Sequence, residues 1–299
     1  MYAKTLSSRL QSYVGVDTRS HWGPKAAELG IDALSGSSPV ASTHQDFSTF
    51  AVPSATALAA SPLNYTVTPI DIGISGNSTV ANSSNGYLLI TPGTVAASGY
   101  NIQGVKSNVV FQDSMQFITA NSGLASGRDI YFGIRAAISC NTTWDGAVFF
   151  GLAASDTGLM TPATGALDSI ANCMGVHIGL TGAINLTKLV SSAAQVSSTF
   201  TATANTLKHT SSSFRAQDFH DYFIWIHYST ASGASSGTHW MECYLDGKLA
   251  ASVGPTTSLT LPNLTTSQYP TIEVLNGTAG LVTMAIAEIV TGVVRYVAP

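Results

Sequence analysis

Charged side chains are scarce in this 299-residue chain. Only 9% of the residues are Asp, Glu, Lys or Arg, whereas an ordinary globular domain has about 25%. The formal net charge is −4, and no cluster of Lys or Arg is present that could replace phosphate counterions, so the sequence argues against nucleic-acid binding. A free protein relies on interspersed charge for colloidal stability. The shortage of charge therefore predicts that neighbouring proteins cover much of the surface, and the alternative is a secreted β-protein whose surface is rich in Ser and Thr.

Long apolar runs are also lacking. No stretch approaches the length of about 20 residues that spans a bilayer. The first residues, Met1 to Arg9, are not followed by the apolar segment of about 7–15 residues that an export signal requires. We therefore expect no membrane partner and synthesis in a cytoplasm without export by that route.

Residue patterns that hold metals or cofactors are absent. The three cysteines, Cys140, Cys173 and Cys243, match no zinc or redox spacing and are predicted to be small buried hydrophobes. Neither H-E-x-x-H nor a dense pair of Asp and Asn ligands occurs. One group of histidines, His220, His227 and His239, could supply metal ligands, but packing among aromatic residues is the favoured interpretation. The sequence predicts no metal and no cofactor.

In place of charged residues the chain has 37 Ser and 34 Thr residues. It also has four segments in which apolar residues occupy every second position. This period is typical of strands with one face toward a core, and four such runs predict an antiparallel β-sandwich. The members of the runs are Ile130, Phe132, Ile134, Ala136 and Ile138; Val148, Phe150 and Leu152; Met174, Val176, Ile178 and Leu180; and Val282, Met284, Ile286 and, less regularly, Glu288 and Val290.

The segment from Asp218 to Ser252 is the most informative. It contains a strand with large side chains on both faces, a Ser/Gly-rich loop, and a second strand that ends at Asp246-Gly247. This dipeptide favours the positive φ angles of a type I′ turn and predicts a hairpin. Because both faces of the first strand are apolar, we expect Trp225 to be buried between two sheets.

This segment resembles the concanavalin A-like (laminin G-like) jelly-roll superfamily, in which an aromatic strand precedes a Tyr-x-Asp-Gly-x-Leu hairpin. The resemblance extends over residues 99–299 and implies an all-β, antiparallel jelly-roll β-sandwich. The superfamily includes enzymes, lectins, adhesion modules and virion proteins, so it implies a fold and not a function. The residues that carry the resemblance are Phe219, His220, Tyr222, Ile224, Trp225, Tyr244, Asp246, Gly247 and Leu249.

The N-terminal region has a different character. Residues 1–36 are predicted to be a short helical arm, whose apolar stripe is too small to order a free helix and is expected to dock on another subunit or on a capsid. Residues 37–98 are predicted to be a linker or a strand extension of the sandwich. The stripe consists of Leu6, Leu10, Tyr13 and Val14.

No catalytic pattern is found. Residues 233–237 match G-x-S-x-G, but a strand rather than a helix follows them, so a nucleophile elbow is not expected. The glycosidases of the resembled superfamily share a Glu-x-Asp-x-x-Glu strand, which this chain lacks. Glu242, Glu273 and Glu288 stand apart and are predicted to be solvated or paired with Lys or Arg. We therefore predict that the protein is not an enzyme.

Two functions fit these observations. The first is a virion structural protein, a bacteriophage capsid decoration (cement) or head-associated protein, assembled in the host cytoplasm, with capsid or other virion proteins as partners and a homo-oligomeric state. The alternative is a carbohydrate-binding, lectin-like module on a virion or cell surface. Trp22 and Trp144, and also Trp240, are the candidates for stacking on a sugar, although core packing is the favoured role for Trp144 and Trp240.

Overall fold

The computed structural model describes twelve stretches of the chain. Of the sequence-based predictions, the helical arm at 1–36 with Leu6, Leu10, Tyr13, Val14 and Trp22, and the G-x-S-x-G segment at 233–237, lie outside them. The described residues are 40–46, 65–70, 79–82, 86–104, 129–141, 143–169, 171–189, 195–211, 213–227, 239–256, 268–278 and 281–294.

Within these stretches the strands form two antiparallel sheets. The eight-stranded sheet has, in spatial order, β13 (Lys248–Thr256), β12 (His239–Leu245), β11 (His220–His227), β6 (Asp129–Cys140), β15 (Val282–Val294), β4 (Leu88–Thr91) and β3 (Thr79–Asn82), with β1 (Val40–Asp46) also paired to β15. The seven-stranded sheet has β10 (Val196–Thr203), β9 (Ala183–Leu189), β8 (Cys173–Ile178), β7 (Gly146–Ala153), β14 (Tyr269–Asn276), β5 (Gly99–Gly104) and β2 (Tyr65–Ile70).

The two sheets pack face to face around one large apolar core, as expected when every second side chain of each strand points inward. Phe132 and Ile134 of β6 lie in this core together with Val148 and Phe150 of β7, and all four are fully buried. The predicted core faces of these strands, of β8 and of the first half of β15 are thus confirmed. The exception is Leu180, which lies beyond the end of β8 and packs on the outer face of the seven-stranded sheet. The all-β antiparallel sandwich is confirmed as well.

The predicted pattern fails in the second half of β15. The pairing of β15 with β6 shifts register between Ile286 and Glu288. Such a bulge inserts one extra residue and exchanges the two faces of the strand. Ile289 therefore enters the core, while Val290 joins a cluster on the outer face of the sheet.

The prediction that Trp225 lies between the sheets is wrong. The side chains of β11 that point into the sandwich core are Tyr222, Ile224 and Ile226. Trp225 is buried on the opposite, outer face of the eight-stranded sheet, next to Tyr131. Both faces of β11 are apolar, so the alternation left open which face points inward.

The described part of the chain contains little helical structure. It comprises α1 (Ala204–Leu207) and one 3-10 turn (Ala216–Asp218). These elements belong to a segment that covers part of the outer face of the eight-stranded sheet, where the rings of Phe214 and Phe219 contact Tyr87.

Candidate functional site

The outer face of the eight-stranded sheet carries a cluster of five aromatic side chains next to the segment that ends at Phe219. They come from three adjacent strands, because the outward-pointing positions of β6, β11 and β12 lie side by side in the register. We call this surface the aromatic face; it consists of Tyr131, Phe223, Trp225, Trp240 and Tyr244.

The rings of the aromatic face are in mutual contact. Tyr131 and Phe223 stack with 5.9 Å between their centroids. Trp225 and Trp240 meet edge to face at 5.6 Å. These are the distances and orientations that aromatic pairs prefer. Tyr131, Phe223 and Trp225 are buried, whereas Trp240 and Tyr244 of β12 are partly exposed. Buried rings thus support the two that reach solvent.

A carboxylate lies between the two partly exposed rings. Glu242 follows Trp240 and precedes Tyr244 on the same face of β12, and it is itself partly exposed. The Tyr244 hydroxyl donates a hydrogen bond to Oε2 of Glu242 at 2.5 Å. This bond fixes the carboxylate and leaves its other oxygen able to accept.

The hairpin that follows the aromatic face is held by a second carboxylate. Asp246 and Gly247 have φ angles of 50° and 76°, so the predicted type I′ turn is confirmed. Nδ1 of His220 lies 2.8 Å from Oδ2 of Asp246, and the amide of Asp221 donates to Oδ1 at 3.0 Å. Partial burial opposes ionisation of Asp246, but these bonds and the charges of His220 and Arg135 outweigh it and lower its pKa. Two residues of the resembled motif therefore fix the β12–β13 turn against β11.

The outer face of the seven-stranded sheet is different, because the connection between β7 and β8 folds across it. Glu273 of β14 lies on this face, is fully buried, and accepts hydrogen bonds from the backbone amides of Leu159 at 2.7 Å and Met160 at 2.9 Å. Nδ2 of Asn101 donates a third bond at 2.6 Å. Burial raises the pKa of Glu273 to about 7, although the three hydrogen bonds oppose that rise.

The burial of Glu273 corrects the prediction that it is solvated or paired with a cation. Amide hydrogen-bond donors surround it instead, which is how a buried carboxylate is usually satisfied. Sequence reasoning missed this site. The available signal was that Glu273 is the sole charged residue of an eight-residue strand whose other members are uncharged.

The other predicted site residues that the structure describes do not come together. Trp144 is 4% exposed, and its indole N–H donates to the carbonyl of Gly179 at 2.9 Å, so in this structure it packs in the core. His220 and His227 lie at opposite ends of β11, and His227 pairs in the sheet with Trp240. In the part of the chain that the structure describes, no group of three or more His, Cys, Asp or Glu side chains is placed to hold a metal ion.

Comparison with known proteins adds a fold but no family. No family model matches the chain, and no curated protein matches its sequence. Similar solved structures include the carbohydrate recognition domain of Emp47p, with 11% identity over 86% of this chain and 95% of that one and a TM-score of 0.50. An endo-1,3-beta-glucanase from Streptomyces sioyaensis has 13% identity over 85% of this chain and 95% of that one, again with a TM-score of 0.50.

These two similarities support the fold, a sandwich of two antiparallel sheets. At identities this low the likeness extends to the fold alone. One of the two neighbours is named for recognising carbohydrate and the other for cleaving it. The function of this chain must therefore be argued from its own residues.

Proposed function

We propose that the protein binds a neutral carbohydrate at Trp240, Glu242 and Tyr244 on its aromatic face. The sequence predicted a carbohydrate-binding module only as the alternative function, with Trp22 and Trp144 as the first stacking candidates and core packing as the favoured role of Trp240. The observation that carries the proposal is that a partly exposed carboxylate lies between two partly exposed aromatic rings on one strand. Ligand sites typically combine apolar or aromatic surface with a few well-placed polar groups. The C–H-rich face of a sugar ring packs on an aromatic ring, and its hydroxyls donate to a carboxylate.

The class of glycan follows from the charge of the site. Glu242 is an acceptor of hydroxyl hydrogen bonds and carries a negative charge. It would repel the carboxylate of a sialic acid or the sulfate of a sulfated glycan. We therefore propose an uncharged oligosaccharide. The two similar structures, a carbohydrate recognition domain and an endo-1,3-beta-glucanase, support this proposal by analogy.

A glycan array followed by calorimetric titration of the strongest neutral hit tests the proposal. We expect Trp240→Ala to weaken binding at least about tenfold, since it removes the stacking surface, and Glu242→Gln to weaken it by a smaller factor. The control is Val196→Ala, which shortens another partly exposed apolar side chain, on the seven-stranded sheet, and is expected to bind normally. Unchanged affinity of Trp240→Ala for a glycan that the protein binds would place the site elsewhere.

A virion location is a separate proposal that is compatible with glycan binding. It is supported by the low charge of the chain and by the apolar stripe predicted for its first 36 residues. Deletion of residues 1–36 is expected to leave the sandwich folded while reducing incorporation into particles. Retention of particle binding by the folded, truncated protein would remove the argument for a docking arm.

A further inference from the structure

The connection between β7 and β8 forms a small hairpin of its own. Met160 and Leu167 pair as an isolated bridge. The amide of Thr161 donates to the carbonyl of Ala166, and the amide of Asp168 donates to the carbonyl of Leu159, each at 2.8 Å. We call residues 159–168 the covering hairpin, because they lie over the outer face of the seven-stranded sheet.

The covering hairpin is held to the sheet in part by apolar contacts. Leu159, Met160 and Leu167 are buried in one cluster with Phe149 of β7 and Leu275 of β14. These apolar contacts stabilise the attachment of the hairpin equally at every pH, because the side chains do not ionise. At the far end of the hairpin, Nε2 of His177 lies 2.8 Å from the carbonyl oxygen of Gly165.

The other attachment involves an ionisable group. The Glu273 carboxylate accepts hydrogen bonds from the backbone amides of Leu159 and Met160, the first two residues of the covering hairpin. If the hairpin lifts away, Glu273 loses two of its three hydrogen-bond donors and gains water. Opening therefore moves the carboxyl group from a buried to a solvated position. The equilibrium between the closed and the open hairpin then depends on whether that group carries a proton.

The side chain of Asn101 offers an acceptor for a hydrogen bond from the protonated Glu273 carboxyl. Its Nδ2 donates to Oε2 of Glu273, but its Oδ1 is buried and has no hydrogen-bond partner in the structure. A buried acceptor without a donor is unfavourable. If the Asn101 side-chain amide flips by about 180°, its Oδ1 accepts a hydrogen bond from a protonated Glu273. The remaining lone pairs of Glu273 still accept hydrogen bonds from the backbone amides of Leu159 and Met160. In that orientation the protonated carboxyl keeps a hydrogen bond to Asn101 and those from the two hairpin amides.

Among the residues that the structure describes, the ionisable groups around Glu273 add no positive charge. Asp156, just before the hairpin, disfavours ionisation of Glu273 by its own charge. Burial raises the pKa of Cys173 on β8 to about 12, so this thiol is neutral. Burial also lowers the pKa of His177, despite its bond to Gly165, so this imidazole is neutral near pH 7. Asp168, at the end of the hairpin, is a further carboxylate.

We propose that the covering hairpin is a pH-sensitive cover, closed while Glu273 is protonated and released with increasing frequency as Glu273 ionises. Opening would uncover the Glu273 carboxyl group and the Asn101 side chain that is bonded to it. The direction follows from linkage: the closed state binds the proton more tightly than a solvated carboxyl does, so low pH favours closure.

Hydrogen exchange of the Leu159 and Met160 amides tests the proposal, because these amides are the donors to Glu273. Protection factors, which are corrected for the intrinsic effect of pH on exchange, are expected to fall at least about tenfold between pH 5.5 and 8.5. Amides in the centre of β6 serve as the internal reference. In Glu273→Gln, which resembles the protonated state in shape and charge, the hairpin amides are expected to keep a nearly constant protection factor over the same range.

Two outcomes would overturn the proposal: protection of the wild-type hairpin that does not change with pH, or the same change in wild type and Glu273→Gln. If the Gln variant does not fold, Asp156→Asn decides. It retains an acceptor for the Thr157 amide, which Asp156 binds at 2.7 Å, but removes the charge that opposes ionisation. The closed-state pKa of Glu273 then falls while that of the solvated carboxyl does not, so the loss of hairpin protection is expected to be smaller and to be complete at a lower pH than in wild type. A loss that is as large as in wild type and extends to the same pH or higher would count against the proposal.

Discussion

The two outer faces of the sandwich are built from the same kind of strands but satisfy their polar groups in different ways. On the eight-stranded sheet, Glu242 lies at a partly exposed position among aromatic rings and accepts one short bond from a neighbouring tyrosine. On the seven-stranded sheet, Glu273 is fully buried beneath the chain's own hairpin. The difference is one of access: the first carboxylate can reach an external ligand, whereas the second is occupied by backbone amides.

The largest expected effect concerns the support beneath the aromatic face. Trp225→Ala removes a buried ring that contacts Trp240, and a truncation of this size costs about 3–5 kcal/mol in the free energy of unfolding. Denaturant melts measure the cost. Trp240→Ala, at a partly exposed position of the same cluster, is the matched control and is expected to cost less. A loss below about 1 kcal/mol for Trp225→Ala would show that this face has no buried layer.

The next prediction concerns the covered face and pH. The pKa of Glu273 rises from 4.5 to about 7 on folding, so the protonated group contributes stability that is complete below pH 4.5 and is lost as the pH rises to about 7. The loss amounts to at most about 3 kcal/mol. The measurement is the unfolding free energy at pH 5 and pH 8 for wild type and Glu273→Gln. The wild type is expected to lose more stability over this interval than the variant, and an equal loss in both would contradict the assignment.

These two predictions also show what the sequence could and could not provide. The alternating apolar residues of β6, β7 and β8 predicted their core faces, because one face of each strand is clearly more apolar. The Asp246-Gly247 turn was predictable from local backbone preferences. The position of Trp225 was not, because β11 is apolar on both faces. The burial of Glu273 depends on the covering hairpin, which lies more than 100 residues earlier in the chain, and no local pattern reports that contact.

A smaller effect is expected at the hairpin beside the aromatic face. Asp246→Ala removes the contacts to His220 and to the Asp221 amide and places alanine at a positive φ angle, which together cost about 1 kcal/mol of stability. Asp246→Asn keeps an acceptor for the amide and tolerates this φ angle, so it is expected to cost less. Because the pKa of Asp246 is lowered, the stabilisation is present above the ordinary Asp range and is lost as the pH falls below it. Thermal melts of the three proteins at pH 7 and pH 3 measure both effects, and equal melting temperatures would refute the role of this contact.

The smallest expected effect is on hydrolysis. Glu242→Gln and Ser235→Ala are expected to change no glycosidase or esterase activity, because the sequence has neither the paired glutamates of the resembled glycosidases nor the context of a nucleophile elbow. The assay is release of reducing sugar from a β-1,3-glucan and of nitrophenol from a nitrophenyl ester. Reproducible cleavage that either substitution abolishes would make the protein an enzyme.

A structure of the protein with the neutral oligosaccharide that it binds most tightly tests the central claim most directly. We expect a sugar ring to pack on Trp240 or Tyr244 at van der Waals distance, with a hydroxyl donating to Glu242, and the covering hairpin to be unchanged at low pH. A sugar bound on the outer face of the seven-stranded sheet, or at any site that leaves Trp240, Glu242 and Tyr244 without contact, would contradict the assignment of the aromatic face as the glycan-binding surface.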